Sequence, residues 1–389
     1  MQKYSSTMIV FFVNRRGAAD DYLRALASGM GADATTMLYV RRHFPSWTDW
    51  TAASASFIDN CLKNGIREYK NRWGHPPSAL WRVFTSFSTR WQYANDRRVL
   101  RRCKPALVVV WNGLKGRSVT LAEAARSLGI PCAFMENGLL PSTTVCDGDG
   151  VNALNSMPRS SAFYRQLPPM PVPEPTQLIA RPSSISRRAS GRNGLPQRYI
   201  FIPFQVDSDT QIVLFSPWLA DMRALFDTLL ELSGQFPQYQ FVFKEHPSSK
   251  RDYRYLHDLL PPERGFFANE YATQELIEKA EAVITINSTV GIEALLFSKR
   301  VIVLGRAFYA IPDLTLAADN AEELKNAISR LQQFAPDEQL RRNFLAYLKN
   351  TYLIEGDRRS ANEAHCLRVR ERLLALAQPR IRATESYEH

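Results

Sequence analysis

Four groups of polar residues follow apolar, strand-like runs of this sequence, where a parallel sheet would place a ligand. The groups begin at Glu136, Gln205, Lys244 and Asn287. Carboxylates at such positions can act as general acids or bases, whereas a cation and an imidazole can hold a phosphate or a carboxylate. The four groups together indicate a site for an anionic ligand with carboxylates close by.

The turn Asn287-Ser288-Thr289 lies between the apolar runs 282–286 and 301–304, a pattern typical of strand, tight turn, helix and strand. We expect Ser288 or Thr289 to cap the helix by accepting a hydrogen bond from its first turn. The remaining free N–H groups and the helix dipole would then suit a phosphate. An ordinary capped helix produces the same pattern, so the neighbouring groups must decide between the two interpretations.

The groups that begin at Gln205 and Lys244 follow the strand-like runs 199–204 and 240–243, and they differ in charge. Gln205 is followed by two carboxylates, Asp207 and Asp209, and each can either face a cleft or start the next helix. Lys244 and His246 follow the run 240–243, and a Lys, a His and a Pro at a strand end favour contact with an anion. This pair is the stronger indication of a ligand contact.

The first half of the chain carries one comparable carboxylate. Glu136, followed by Asn137 and a glycine, comes directly after the run 132–135 and can act as a general acid or base. A glutamate in a surface loop is the alternative interpretation. Asn112-Gly113 ends the neighbouring run 107–111 and is typical of a turn.

Metal and disulfide chemistry are not indicated. Asp147-Gly148-Asp149 is similar to the Asp-x-Asp that holds a divalent metal in other nucleotide-sugar enzymes, but it lies in a glycine-rich loop, so we interpret it as a turn and expect no metal. None of the five cysteines forms a Cys-x-x-Cys pair, which favours a reducing compartment. No Walker loop, dinucleotide signature or Gly-x-Ser-x-Gly elbow occurs.

The 389 residues carry a net charge of +11, with a pI near 9.5. Such a balance suits an anionic substrate, an anionic membrane surface or nucleic acid. The sequence lacks zinc-finger spacing, an RNP-like strand and a helix-turn-helix pattern, so we expect no nucleic acid. The run 8–13 is too short for a signal sequence, and no apolar run approaches the ~20 residues that span a bilayer. We expect a cytoplasmic protein, with peripheral contact at the inner membrane left open.

Strands and helices must alternate to position these groups. Apolar runs near 8–13, 107–111 and 132–135 and again from 199 onward are separated by helical patterns, which predicts parallel sheets. We predict an α/β, GT-B-like fold, with two Rossmann-like domains, a cleft between them and closing C-terminal helices. The predicted parts are an N-terminal Rossmann-like domain at 1–165, a Pro/Ser/Arg-rich linker at 166–197, a C-terminal Rossmann-like domain with terminal helices at 198–378 and a flexible tail at 379–389.

Five motifs in this order resemble the β-Kdo transferases of bacterial capsule and lipopolysaccharide synthesis, also known as the capsular polysaccharide synthesis family. Together they extend from about Trp111 to Gly305. They are Trp111-Asn112-Gly113, Glu136-Asn137-Gly138-Leu139-Leu140-Pro141, Gln205-Val206-x-x-Asp209, Lys244-Glu245-His246-Pro247 and the turn from Asn287 to Ala294.

The resemblance implies a retaining glycosyltransferase that moves Kdo, an acidic eight-carbon ketose, from CMP-β-Kdo to a capsule or O-antigen glycan. Asp209 would be the nucleophile of a covalent intermediate, Asp207 its reserve, and Glu136 would assist proton transfer at the acceptor. CMP-Kdo is a substrate, and no cofactor is expected. The implied donor-binding residues are Lys244, His246, Asn287, Ser288, Thr289 and Gln205. The implied acceptor or cleft residues are Asn112, Gly113 and Asn137.

Other features stay open at this stage. The resemblance implies that the domain at 1–165 binds the acceptor, a glycan attached to a lipid, and that the domain at 198–378 binds the CMP-sugar donor. Whether the chain is part of, or assembles with, a larger polysaccharide-synthesis enzyme stays open. A nucleotide-sugar 2-epimerase with the same fold would also place a Ser-rich turn under its nucleotide. The pI near 9.5 also fits a non-catalytic binder of anionic ligands.

Overall fold

The computed structural model describes residues 8–14, 16–38, 45–173, 194–359 and 361–378. The middle of the predicted linker, at 174–193, and the predicted tail, at 379–389, lie outside these residues. Within the described residues the chain forms two six-stranded sheets, one in each half. The predicted α/β fold with two parallel-rich sheets is therefore confirmed.

The strands of the described segments are short and largely apolar, and four of the twelve are buried along their whole length. In chain order they are β1 (Ile9–Val13), β2 (Ala34–Leu38), β3 (Leu107–Trp111), β4 (Cys132–Asn137), β5 (Thr143–Asp147), β6 (Tyr199–Pro203), β7 (Gln240–Lys244), β8 (Gly265–Phe267), β9 (Ala282–Thr285), β10 (Arg300–Val303), β11 (Leu316–Ala317) and β12 (Ile354–Glu355).

The helices cover the sheets, and several begin at a Ser, Asp or Asn whose side chain caps the first turn. They are α1 (Ala18–Gly29), α2 (Trp47–Thr51), α3 (Ala55–Trp73), α4 (Ala79–Cys103), α5 (Arg117–Arg126), α6 (Ser161–Arg165), α7 (Thr210–Phe215), α8 (Met222–Ser233), α9 (Arg254–Leu259), α10 (Thr273–Lys279), α11 (Val290–Leu296), α12 (Ala321–Ser329), α13 (Glu338–Tyr347) and α14 (Glu363–Ala377). None of the helices in the described segments is both long enough and apolar enough to cross a bilayer.

The second sheet has the order β11-β10-β9-β6-β7-β8, with every neighbouring pair parallel. This is the strand order of a Rossmann fold, in which the direction of winding reverses between the first and fourth strands. Here those strands are β6 and β9. A crevice at their carboxyl ends is the expected place for a ligand.

The first sheet has the order β12-β5-β4-β3-β1-β2. Strands β4, β3, β1 and β2 are parallel to one another, and β2 lies at the edge of the sheet. At the other side, β5 runs antiparallel to β4, and β12 runs antiparallel to β5. The chain thus returns to the first sheet after α13, and Val369 and Leu373 of α14 lie in that sheet's core. The predicted donor domain, 198–378, differs from the structure here, because its last segment packs with the first half.

Candidate active site at the interdomain cleft

Two of the predicted site segments flank the reversal point of the second sheet. The segment beginning at Gln205 follows β6, and the segment beginning at Asn287 follows β9. The two are joined directly, because the backbone N–H of Asn287 donates to Oε1 of Gln205 at 3.0 Å. The parallel sheet therefore brings together residues that are 82 positions apart in the sequence.

Glu136 lies at the end of β4 in the first sheet and is half-buried. Its Oε2 accepts a hydrogen bond from Nδ2 of Asn112 at 2.8 Å, and its Oε1 accepts from the backbone N–H of Asn137 at 2.9 Å. Burial raises the pKa of Glu136, and the negative charge of Asp209 raises it further, against the lowering effects of the Asn112 and Asn137 hydrogen bonds and of Arg358. A raised pKa suits a carboxylate that takes a proton from a hydroxyl group.

The turn after β3 holds Asn112 in place. Asn112 adopts a φ of +63° and Gly113 a φ of +80°. A Cβ at residue 113 would lie 2.3 Å from Cδ1 of Phe134, so a glycine is required there. The structure thus assigns both residues a role in orienting Glu136.

Asp209 is exposed and lies at the N-cap of α7. Its Oδ1 accepts a hydrogen bond from the backbone N–H of Gln211 at 2.8 Å. Its Oδ2 accepts no hydrogen bond from any residue that the structure describes. Asp209 lies near enough to Glu136 for its negative charge to raise the pKa of that carboxyl group. Asp209 therefore has one oxygen available for chemistry.

Asp207, in contrast, is buried and fully used. Its Oδ1 accepts from the backbone N–H of Met222 at 2.7 Å, and its Oδ2 accepts from Arg251 at 3.0 Å and from the hydroxyl of Tyr253 at 2.6 Å. Burial raises its pKa despite these partners. This carboxylate braces the start of α8, and the expectation of a reserve nucleophile at Asp207 does not fit its position.

Asn287 is also an internal brace. Its Nδ2 donates to the carbonyls of Gln211 and Phe215, both at 2.9 Å, and its backbone meets Gln205 as described above. Both carboxamide side chains are buried. Gln205 and Asn287, expected to contact the donor, instead fix the helix α7 that carries Asp209 at its N-cap.

The turn before α11 follows the expected pattern in part. Ser288 Oγ accepts a hydrogen bond from the N–H of Val290, the first residue of α11, at 3.2 Å. Thr289 occupies the N-cap position without a side-chain bond to the helix. The hydroxyl of Tyr309 also supports this turn by donating to the Ser288 carbonyl.

Lys244 and His246 have different surroundings. The ammonium of Lys244 donates to the carbonyls of Asn269 and Tyr271, and burial lowers its pKa. Lys244 therefore stabilises the loop after β8, which the sequence did not indicate. His246 is half-buried, and its Nδ1 accepts a hydrogen bond from the N–H of Ser248 at 3.1 Å. The neutral ring then carries its hydrogen on Nε2.

A buried polar network beside this loop was missed at the level of sequence. Glu245 accepts hydrogen bonds from His257 and from Asn269, both at 2.9 Å. The ring of His257 stacks on Phe267 with centroids 4.1 Å apart. The only sequence signal was the position of Glu245 between Lys244 and His246.

A second missed contact joins the two halves. On α3, Arg67 donates to the carbonyls of Val213, Ser216 and Leu219 at 3.0–3.1 Å. One turn later, Asn71 donates to the carbonyls of Asp207 at 2.8 Å and Ala220 at 3.1 Å. We call Arg67 and Asn71 the α3 clamp. The clamp holds the segment 207–220, which includes Asp209, against the first half of the chain.

The loop Asp147-Gly148-Asp149 forms a turn after β5. Asp147 is buried, and its carboxylate accepts hydrogen bonds from the backbone N–H groups of Asp149 and Ser156, both at 2.7 Å. Its oxygens thus serve the fold of the loop. Within the described part of the chain, no three His, Cys, Asp or Glu side chains are grouped as metal ligands.

Comparisons with known proteins include one family model and several relatives. Residues 177–359 match the family model described as capsule polysaccharide biosynthesis protein. Protein FixF of Sinorhizobium fredii is 42% identical over 254 residues, which are 64% of this chain and 60% of FixF. Capsule polysaccharide export protein KpsS of Escherichia coli is 29% identical over 277 residues, which are 56% of this chain and 69% of KpsS. This chain thus spans about 60% of the length of FixF.

Among solved structures, KpsC of Thermosulfurimonas dismutans, described as a beta Kdo 2,7 transferase, aligns over 95% of this chain and 100% of its own. The sequence identity is 13% and the TM-score 0.45. The family-model match at residues 177–359 includes Asp209, His246 and Ser288, and its description agrees with the family that the ordered motifs resemble.

Proposed function

We propose that the chain is a retaining β-Kdo glycosyltransferase that transfers Kdo from CMP-β-Kdo to a bacterial surface glycan. The observation that carries the proposal is the pair of carboxylates at the cleft. Asp209 is exposed with one oxygen available, and Glu136 has a raised pKa and interacts with Asp209. The five ordered motifs support Kdo as the sugar, and the match to the capsule family supports the class of product.

In the first step, Oδ2 of Asp209 attacks the anomeric carbon of Kdo. A bond forms between the carboxylate oxygen and this carbon, while the bond to the phosphate oxygen breaks and CMP leaves. Ser288, Thr289 and Nε2 of His246 would stabilise the phosphate as it departs. The segments that form this donor site would be held in position by Lys244, Gln205 and Asn287.

In the second step, Glu136 accepts the proton of the acceptor hydroxyl, and the hydroxyl oxygen attacks the same carbon. The bond to Asp209 breaks, which restores its carboxylate. Two displacements at one carbon retain the β configuration. The acceptor would be a glycan attached to a lipid, bound mainly by the first half of the chain near Asn112, Gly113 and Asn137.

The test compares wild type with Asp209→Asn in a transfer assay with CMP-Kdo and a glycan acceptor. We expect loss of transfer in the variant and retention of its fold, because Asp209 is exposed and Asn remains a good N-cap residue. Unchanged transfer by Asp209→Asn would remove it from the mechanism.

Thermal-shift measurements test the donor independently of catalysis. We expect CMP and CTP to stabilise the wild-type protein. Stabilisation by UDP, with no response to CMP or CTP, would instead favour the 2-epimerase interpretation. Indifference to all nucleotides, with binding to polyanions, would favour a non-catalytic binder.

A further inference from the structure

Exposed apolar side chains are concentrated on the elements α2 to α4. Of the eleven large hydrophobic residues that are exposed in the described part of the chain, six lie there. Soluble proteins expose single apolar residues routinely, but a cluster marks an interaction surface. The six residues are Trp47, Trp73, Leu80, Val83, Phe84 and Phe87.

Four of the six form one stripe on α4. Leu80, Val83, Phe84 and Phe87 have the spacing i, i+3, i+4 and i+7, which places them on the same face of the helix. Leu80 is 79% exposed and Phe84 is 62% exposed. Phe87 contacts the rings of Trp50 and Trp91 at one end of the stripe but is still 53% exposed, so most of this face is open to solvent. We call the stripe, together with Trp73 at the end of α3, the hairpin face.

The charge around the hairpin face is positive. Between Asp59 and Asp96 the sequence contains one acidic residue, Glu68, and it is paired with Arg72 at 2.9 Å. Lys70 and Arg82 on the same two helices are exposed. The segment 45–104 has eleven Lys and Arg residues against four Asp and Glu residues. An apolar face with aromatic residues and a cationic border is complementary to an anionic lipid surface.

The hairpin face is also connected to the candidate site. Arg67 and Asn71 on α3 hold the segment 207–220, and α3 ends at Trp73, a few residues after Asn71. The α3 clamp thus joins the helix that ends at Trp73 to the segment that includes Asp209. This position suits an acceptor that is anchored in a lipid bilayer.

We propose that the hairpin face docks on an anionic phospholipid bilayer, with Leu80, Val83, Phe84, Phe87 and Trp73 in the interfacial layer and Lys70 and Arg82 against the headgroups. The proposal does not depend on the identity of the donor sugar. It assigns membrane contact to particular residues, whereas the net charge of the chain left such contact open.

Vesicle flotation of the full chain tests the proposal. The vesicles contain phosphatidylcholine alone or phosphatidylcholine with phosphatidylglycerol. We expect binding to the anionic vesicles only, weakened by added salt. The variant Leu80→Gln/Phe84→Gln/Phe87→Gln should lower the partition coefficient by roughly tenfold or more, because it removes three interfacial side chains. The matched control, Leu154→Gln/Leu259→Gln, changes exposed apolar residues elsewhere and should bind like wild type.

Three outcomes would overturn the proposal. Failure of the wild-type protein to bind anionic vesicles would mean that the hairpin face is covered in solution or does not contact lipid. Equal binding by the triple variant, with a native circular dichroism spectrum, would place the contact elsewhere. A wild-type dimer in sedimentation velocity that the triple variant dissociates would assign the face to a second copy of this chain. Transfer to a water-soluble acceptor should be unaffected by the triple variant, so the transferase proposal is tested separately.

Discussion

The substitution Asn71→Ala tests whether the α3 clamp positions the catalytic segment. Asn71 is buried, and its carboxamide donates to the carbonyls of Asp207 at 2.8 Å and Ala220 at 3.1 Å. A net hydrogen bond contributes about 1 kcal/mol, and a carbonyl left without a partner costs more. We therefore expect the free energy of unfolding to fall by about 2–3 kcal/mol.

The catalytic effect follows from geometry. Without Asn71 the segment that includes Asp209 loses two of its attachments to the first half of the chain, so the distance across the cleft becomes less defined. Misplacement of reacting groups by about 1 Å can lower a rate by about a hundredfold. We expect kcat for Kdo transfer to fall by about tenfold to a hundredfold, with a smaller change in the affinity for CMP.

Asn343→Ala is the matched control. Asn343 is also buried and donates to the carbonyl of Tyr164 at 2.7 Å, in a contact between α13 and α6 away from Asp209 and Glu136. Urea denaturation should give both variants a similar loss of stability. Equal kcat values for the two variants, at equal loss of stability, would refute the positioning role of the clamp.

Three further predictions concern the carboxylates. Arg358→Ala removes a charge that lowers the pKa of Glu136. Because the base form of Glu136 is active and is lost as pH falls through this pKa, the acidic limb of the pH profile of kcat/KM should move to higher pH. An unchanged profile would exclude the interaction between Arg358 and Glu136. Glu136→Gln should slow transfer by roughly 10²–10⁴-fold while CMP is still released in a first turnover, as measured by rapid quench; equal slowing of both steps would argue against its role at the acceptor. Asp207→Ala should lower the free energy of unfolding in urea by about 3 kcal/mol, because it removes a buried carboxylate that accepts hydrogen bonds from Arg251 and from the Tyr253 hydroxyl. Asp209→Ala should cost about 1 kcal/mol for the lost cap, and similar losses would contradict the different burial of the two residues.

Much of the fold could be predicted because local patterns determine it. The apolar runs of β3, β4, β6, β7 and β9 and the helical spacing of α3 and α4 agree with the structure within a few residues. The strand order brings the ends of β6 and β9 together, so Gln205 and Asn287, which the resemblance assigned to the same donor site, are in direct contact.

The missed features depend on partners that are distant in sequence. The pairing of β5 with β12 joins residues more than 200 positions apart, and the residues at 143–147 (TTVCD) form neither an apolar run nor an alternating pattern, so they gave no clear strand signal. Arg67 and Asn71 contact carbonyls about 136–152 positions away, so nothing in α3 itself distinguishes them from surface residues. The same cause explains Lys244, whose cation meets carbonyls of the loop after β8.

The roles of individual polar residues could be predicted by type, but not by partner. Asp207 and Asp209 are two positions apart, and each could start a helix or face a cleft. The structure separates them through burial: Met222, Arg251 and Tyr253 surround Asp207, while Asp209 caps a short helix at the surface. Such burial depends on the packing of the whole domain.

The central claim is that Asp209 forms a covalent bond with the sugar. Intact-protein mass spectrometry of Glu136→Gln, incubated with CMP-Kdo in the absence of acceptor, tests it most directly. We expect a mass increase of one Kdo residue, located by peptide mapping at Asp209 and absent in Asp209→Asn/Glu136→Gln. The covalent mechanism would be contradicted if wild type transfers Kdo from CMP-Kdo while Glu136→Gln forms no adduct, or forms an adduct on another residue.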